Sequence, residues 1–233
     1  MNPILVALDV DSAEHAESLA RSVSPYVGGF KVGLQLIMAE GPEVVGRIAR
    51  LGKPVFADLK LHDIPNTVRS AATAIAEQGA RWVTVHASGG QEMIEAAVEG
   101  LQVGSSHDVG VLGVTVLTSM DDSDLASVGV TADVSEQVGR LSEISSSAGA
   151  DGVICSPNEV LVVKAVDNRL LAVTPGIRSA TNEPDDQKRV NTPAEAMRLG
   201  ADLLVIGRSI TATGNPAEAA EAIQAALETP GHV

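Results

Sequence analysis

The stretch "PVFADLKLHDIPNTV" (54–68) begins as a buried β-strand, gathers charged residues where the strand ends, and continues into a helix. Similar apolar runs occur seven more times, each followed by a helix-like segment: "ILVALDV" (4–10), "GFKVGL" (29–34), "WVTVHA" (82–87), "GVLGVTVLT" (110–118), "GVICS" (152–156), "LLAVTPG" (170–176) and "LLVIGRS" (203–209). Strand and helix alternating eight times predict a parallel sheet covered by helices. Eight units favour a closed (βα)8 TIM barrel over an open doubly wound sheet, and no GxGxxG motif follows the first strand.

Length and composition agree with one barrel domain spanning residues 1–233, since no linker or low-complexity segment divides the chain. Apolar residues make up 45% of the sequence and aromatic residues only 2%, so the core must be built from Val, Ile, Leu and Ala. The net charge of −14 and the scarcity of stacking side chains argue against a nucleic-acid partner.

Features of the chain that report on location and redox state are few. The start "MNPILVALDV" has neither a basic stretch nor a small-residue cleavage site. No apolar run reaches the ~18 residues of a membrane span. We therefore expect a cytoplasmic protein with no membrane partner. Cys155 is the only cysteine, so it cannot form an internal disulfide, and we expect a buried structural thiol.

Helix boundaries are marked by capping residues and glycines. Helix starts are predicted at Ser12, Ser156, Thr192 and Asn215, the last three of which precede a proline. Helix ends are predicted at Gly79, Gly149 and Gly200.

Polar residues close most of the apolar runs: Asp9, Lys31 (within its run), Asp58, Lys60, His86, Thr118, Ser156, Arg178 and Arg208. In a barrel these positions meet at the C-terminal mouth, where barrel enzymes place their chemistry. Strand residues two apart share a face, so Phe56, Asp58 and Lys60 should point inward.

Buried charges are costly unless they are paired, and Lys31, Asp58, Lys60 and Asp63 could balance one another. The same set could instead be a purely structural ion-pair network. Asp63 could also cap the third helix. No metal site is expected, because His62 and His86 have no partners at metal-ligand spacing.

The last third of the chain suggests phosphate binding. In barrels, the loops after strands seven and eight commonly hold phosphate, and here they carry "TPGIR" (174–178) and "VIGRSI" (205–210). Glycine permits close approach of the backbone, and arginine can pair bidentately with phosphate oxygens. The alternative is a barrel-closing Gly207 and a surface Arg208. The polar stretch 179–190 has the character of a lid loop.

"DLKLHDIPNT" (58–67) resembles the signature of the orotidine 5′-monophosphate decarboxylases of bacterial type. The resemblance extends over essentially the whole chain, in order, through "ALDV" (7–10), "FKVGLQL" (30–36), "VHASGG" (85–90), "VTVLTSM" (114–120), "VTPGIR" (173–178), "DQKR" (186–189) and "VIGRSI" (205–210). It implies a TIM barrel that converts orotidine 5′-monophosphate (OMP) to UMP and CO₂ in de novo pyrimidine synthesis, without a metal or organic cofactor.

The resemblance also implies roles for individual residues. Lys60 would protonate C6 of the pyrimidine beside Asp58, while Lys31 and Asp9 would bind the ribose hydroxyls. The catalytic set would be Lys31, Asp58, Lys60 and Asp63. Further substrate contacts would come from Ile64, Thr67, Thr118, Arg178, Gln187, Gly207 and Arg208, with Asp63 and Thr67 reaching the neighbouring site of a homodimer.

Two alternatives stay open at this point. One is a metal-dependent keto-sugar-phosphate decarboxylase of the same barrel superfamily, whose members carry Glu where this chain has Lys31, because Mg²⁺ needs a carboxylate there. The other is a catalytically silent nucleotide-phosphate binding protein. Such a protein would keep Gly207 and Arg208 but would have no reason to keep Asp58, Lys60 and Asp63 together.

Overall fold

The computed structural model describes residues 2–177 and 191–228, and its centre is a closed barrel of eight parallel strands in sequence order. The strands are β1 (Ile4–Ala7), β2 (Gly29–Gly33), β3 (Val55–Leu61), β4 (Trp82–His86), β5 (Gly110–Val114), β6 (Gly152–Ile154), β7 (Leu171–Thr174) and β8 (Leu203–Ile206). Each strand pairs with the next, and β8 closes on β1 with Leu204 opposite Ile4. The predicted (βα)8 barrel is thus confirmed.

Helices fill the connections between strands. They are α1 (Ala13–Val23), α2 (Leu34–Glu40), α3 (Glu43–Ala49), α4 (Pro65–Glu77), α5 (Gln91–Val103), α6 (Asp122–Ser127), α7 (Val134–Ser147), α8 (Val160–Val166), α9 (Pro193–Arg198), α10 (Arg208–Thr211) and α11 (Pro216–Glu228). Short 3₁₀ turns occur at 24–26, 87–89 and 157–159. Within the described ranges, no helix combines the length and apolar character needed to cross a membrane.

The core has two layers, one inside the barrel and one between barrel and helices. Leu5, Ala7, Phe56, Trp82, Leu112, Val173, Leu203 and Val205 form the inner layer. Val55 and Ala57, the neighbours of Phe56, belong to the outer layer. This alternation confirms that Phe56 points inward, and it sets the face from which Asp58 leaves the strand. Cys155 is buried in the outer layer, as expected.

The predicted helix boundaries are largely confirmed. Ser12 accepts from the backbone N–H of His15, and Ser156 and Thr192 each form a capping box with a glutamate three residues later. The Asn215 side chain accepts from the backbone N–H of Glu218 at 3.4 Å. Gly79, Gly149 and Gly200 follow helices with positive φ, a conformation that favours glycine.

All strands except β3 end earlier than their apolar runs. β5 stops at Val114, β7 at Thr174 and β8 at Ile206, so the tails 115–118, 175–176 and 207–209 lie beyond the ladder. Thr115 still bonds the carbonyl of Ile154 on β6 through its backbone N–H and its hydroxyl, and α10 already begins at Arg208. The polar residues of these tails are therefore carried by loops and a helix start at the mouth.

Candidate active site

A cavity of about 780 Å³ opens at the carboxyl ends of the strands. Its lining includes seven of the residues that the sequence predicted for the site: Asp9, Lys31, Asp58, Lys60, Thr118, Gly207 and Arg208. These seven come from β2 and β3 and from the segments after β1, β5 and β8, so closure of the barrel brings them together.

Four of these side chains form a continuous chain of alternating charge. Nζ of Lys31 lies 3.0 Å from Oδ1 of Asp9 and 3.6 Å from Oδ2 of Asp58. Nζ of Lys60 lies 2.8 Å from Oδ1 of Asp58. Lys31 is 8% exposed, whereas the Lys60 side chain is 31% exposed and faces the cavity. Lys60 is thus the more exposed of the two ammonium groups that line the cavity.

The backbone at Lys60 is unusual. It is the only non-glycine residue of the described chain with positive φ, at 50°. The β3–β4 register shifts at the same place: Ala57 pairs with Val83 and Leu61 with Val85, so Thr84 alone faces residues 58–60. Left-handed backbone costs a non-glycine residue roughly 1–2 kcal/mol. Strain of this kind collects at functional sites when the surroundings hold it in place.

The electrostatics favour an ionised Asp58. Burial by itself would raise the pKa of this carboxyl, but Lys31, Lys60 and the hydrogen bonds from Lys60 and Thr84 together lower it below its ordinary value. The neighbouring His86 shows the opposite balance. Burial, the ring of His62 and the charge of Lys60 lower its pKa, so the neutral imidazole is favoured.

Three predicted site residues lie outside the cavity lining. Asp63, Ile64 and Thr67 are exposed at the start of α4, and Ile64 is 68% exposed. Oδ1 of Asp63 accepts from the backbone N–H of Ile64 at 2.7 Å, and within the described part of the chain no cation lies within 4.0 Å of its carboxylate. The predicted charge balance among Lys31, Asp58, Lys60 and Asp63 is therefore wrong for a single chain. Asp9, and not Asp63, is the second carboxylate of this group.

The idea that Asp63 caps the third helix of the sequence pattern is also wrong. The N-cap residue of α4 is Ile64, and it makes no side-chain capping bond. Asp63 bonds the amide of Ile64 itself and not an amide of the first helical turn.

The cavity lining also includes the residues predicted to bind phosphate. Gly207 and Arg208 line it together with Gly176 and Ser209, and the half-buried Thr118 lies in the loop after β5. A Cβ atom added to Gly207 would meet only the Cβ of Ala7, at 3.6 Å. Packing therefore does not demand this glycine, and the backbone there is open to a ligand. Arg178, Gln187 and the loop 179–190 lie outside the described residues.

Sequence reasoning missed two residues that shape the charged chain. A Cβ atom on Gly33 would collide with Lys31, and the hydroxyl of the fully buried Thr84 bonds both Asp58 and Lys60. Gly33 could have been singled out from the sequence, because it ends a strand two residues after Lys31. A threonine within a strand carries no such signal, because β-branched residues are common there.

Comparison with known proteins agrees with this geometry. A family model described as "Orotidine 5'-phosphate decarboxylase / HUMPS family" matches residues 2–223. The orotidine 5′-phosphate decarboxylase of Anaeromyxobacter sp. (strain K) is 52% identical over 225 residues, covering 96% of this chain and 97% of the relative. That of Paramagnetospirillum magneticum is 48% identical over 235 residues, covering 97% and 99%.

Solved structures show the same likeness. The crystal structure of orotidine 5′-phosphate decarboxylase from Lactobacillus acidophilus superposes with a TM-score of 0.86 at 37% identity, covering 98% of this chain and 100% of that chain. The enzyme from Pyrococcus horikoshii OT3 gives 0.79 at 27% identity, covering 97% and 100%. On the matched family model and these relatives, the chain belongs to the orotidine 5′-phosphate decarboxylase / HUMPS family.

Proposed function

We propose that this chain is a carboxy-lyase that converts OMP to UMP and CO₂ in de novo pyrimidine synthesis, in the cytoplasm, with residues 1–233 acting as one domain. Its family and its relatives support the reaction. The observation that carries the proposal is the charged chain Asp9–Lys31–Asp58–Lys60, which ends on an accessible ammonium group at the cavity wall.

The chemistry requires stabilisation of a carbanion. When the bond between C6 and the carboxylate breaks, CO₂ leaves and the electron pair stays on C6. A fixed ammonium group stabilises that charge without having to reorganise. Lys60 then gives one N–H proton to C6 and recovers it from solvent. Asp58, 2.8 Å from Nζ, holds the lysine in place and lies beside the departing carboxylate.

Lys31 and Asp9 bind the ribose hydroxyls in this proposal. Their ion pair, at 3.0 Å, presents both a donor and an acceptor at the cavity wall. Since Lys31 also approaches Asp58, the group that holds the sugar is coupled to the group that holds Lys60. Correct placement of the ribose thus supports alignment at C6.

The phosphate binds at Gly207 and Arg208 in this proposal, with Thr118 contacting the pyrimidine. The open backbone at Gly207 and the position of Arg208 in the cavity lining support it. Gln187 and Arg178 are assigned to the phosphate on the family resemblance alone. Binding energy from the phosphate, remote from C6, is then available to align the charges and so to raise kcat. A few local donors let a chain of charge −14 hold a dianionic nucleotide.

We propose further that the protein is a homodimer in which Asp63 and Thr67 enter the partner's active site. Asp63 is exposed and lies away from Lys31 and Lys60 of its own chain. Large apolar side chains are exposed on α2, which follows β2, and just before α4, which follows β3: Leu34 is 49% exposed, Met38 80% and Ile64 68%. A second copy would cover these side chains and bring Asp63 to a cation.

The test is the loss of OMP absorbance with purified protein in the presence of EDTA, with UMP identified as the product. Turnover in EDTA is the expected result. Turnover only after metal is added would favour the metal-dependent alternative. UMP binding without any turnover would favour the silent binding protein, and neither binding nor turnover would overturn the assignment of the ligand.

A further inference from the structure

We propose that Thr84 is a positioning residue of this site, whose hydroxyl couples the backbone of Lys60 to the carboxylate of Asp58. The inference rests on the proposed decarboxylation and adds to it a residue that does not line the cavity. Thr84 lies in the middle of β4 and is fully buried. It therefore acts through its neighbours and not on the substrate.

The hydroxyl of Thr84 closes a small ring of hydrogen bonds. Its oxygen accepts from the backbone N–H of Lys60 at 2.9 Å, and it donates to Oδ1 of Asp58 at 3.0 Å. The same Oδ1 accepts from Nζ of Lys60 at 2.8 Å. Thr84 thus uses its hydroxyl hydrogen and a lone pair at once, which a serine can repeat and a valine cannot.

The irregular pairing of β3 and β4 explains why a side chain is needed at this point. Thr84 alone faces residues 58–60, so the amide of Lys60 turns to a side-chain oxygen and not to a strand carbonyl. A buried amide without an acceptor is unfavourable. The bond to Thr84 therefore helps to hold Lys60 at its positive φ, and with it the direction in which the ammonium group leaves the backbone.

The same hydroxyl orients Asp58. Oδ1 of this carboxylate faces Thr84 and Lys60, which leaves Oδ2 to Lys31 at 3.6 Å. Rotation of the carboxylate would exchange these partners and move Nζ of Lys60 with them. Among the three side chains that contact the Asp58 carboxylate, Thr84 is the neutral one. It can therefore favour one orientation of the carboxylate without adding charge.

The experiment compares Thr84→Val with Thr84→Ser. Valine keeps the shape and loses both hydrogen bonds, whereas serine keeps both. We expect kcat of Thr84→Val to fall on the order of ten- to a hundredfold, as small displacements of reacting groups do. The affinity for UMP should fall less than kcat, because the phosphate contacts proposed at Gly207 and Arg208 come after β8, whereas Thr84 lies on β4. Thr84→Ser should recover most of kcat.

A pH profile separates positioning from a general loss of stability. Asp58 faces Lys31 on β2, Lys60 on its own strand and His86 on β4, and it is linked through Lys31 to Asp9 after β1. Thr84→Val leaves all of these charges in place and removes a donor from the carboxylate. The pKa of Asp58 should therefore rise, and the acid limb of kcat/KM should move to higher pH in Thr84→Val but not in Thr84→Ser.

Ser142→Ala serves as the control for loss of a buried hydroxyl. Ser142 is fully buried on α7, where its hydroxyl bonds the carbonyl of Val138, so this variant should keep both kcat and the acid limb. The inference would be overturned if the wild type is active and folded Thr84→Val has the same kcat and the same acid limb as the wild type. Equal losses in the valine and serine variants would overturn it as well. An inactive wild type would instead overturn the proposed function, so the two failures are distinguishable.

Discussion

Gly33 lies so close to Lys31 that a Cβ atom added to the glycine would stand 2.7 Å from the ammonium nitrogen. It would also stand 3.0 Å from Oδ1 of Asp9, the partner of that nitrogen. The backbone of Gly33 has negative φ, so its conformation does not require glycine. The missing side chain is therefore what leaves room for the Asp9–Lys31 pair at the cavity wall.

Gly33→Ala should displace Nζ of Lys31 and weaken its contact with Asp9. In the proposed mechanism this pair holds the ribose and supports Asp58, so we expect kcat/KM for OMP to fall on the order of tenfold or more. Steady-state kinetics measure the effect.

Gly139→Ala is a matched control for this substitution. A Cβ atom there would meet Val162 at an ordinary 3.5 Å, and Gly139 lies inside α7. Replacing a glycine within a helix by alanine should stabilise the fold by about 0.5–1 kcal/mol and leave kinetics unchanged. Wild-type kinetics in Gly33→Ala would show that the Asp9–Lys31 geometry is not needed for turnover.

The barrel and the inward face of β3 could be predicted because both follow from local periodicity. Alternation placed Phe56 and Asp58 on one face, and the structure has them there. The register shift at residues 58–60 could not be predicted, since it depends on what β4 offers opposite them. Thr84 and the left-handed Lys60 belong to that shift, so they were out of reach for the same reason.

The grouping of charged residues was predicted in part. Lys31, Asp58 and Lys60 meet because three neighbouring positions on β2 and β3 converge at the mouth. Asp63 was expected among them because it is near in sequence. The chain turns into α4 within two residues, however, and carries Asp63 outward. Asp9, from the segment after β1, takes that place because β1 pairs with β2 and so brings Asp9 beside Lys31.

His86 should make stability depend on pH near neutrality. Its pKa is lowered in the folded chain, so as pH falls through about 6.5 the unfolded chain takes up a proton that the folded chain does not. The free energy of unfolding should therefore fall as the pH drops below about 7, and His86→Gln should make this fall shallower. Urea denaturation across this range measures it.

His62→Gln tests the cause of that pH dependence. The two rings lie 5.4 Å apart between centroids, and His62 is one of the groups that lower the pKa of His86. His62→Gln should therefore make the fall in the free energy of unfolding shallower, but by less than His86→Gln does. Burial is the larger cause of the lowered pKa of His86. Equal pH dependence in His86→Gln and the wild type would exclude His86 as the source.

Mixing two inactive variants tests the shared site. Asp63→Ala and Lys60→Ala should each be inactive, but a heterodimer has one site with both residues intact. After subunit exchange, roughly a quarter of all sites should recover, by random pairing of two kinds of subunit in a two-fold dimer. Asp58→Ala mixed with Lys60→Ala is the control, because these residues pair within one chain and no intact site forms. Two results would contradict the trans arrangement. One is recovery of activity in the control mixture, and the other is no recovery in the first mixture although the subunits are shown to exchange.

Replacing Lys60 by glycine or by alanine should separate function from backbone strain. Both variants lose the ammonium group, so both should lose turnover, while only glycine relieves the positive φ of 50°. Relief of roughly 1–2 kcal/mol, less about 0.5–1 kcal/mol for the greater chain entropy of glycine, should make Lys60→Gly the more stable variant by up to about 1.5 kcal/mol. Leu59 has no positive φ, so the same pair of substitutions there should reverse the order. Chemical denaturation of the four variants measures this, and a difference between the glycine and alanine variants that is the same at Lys60 as at Leu59 would mean that this conformation stores no strain.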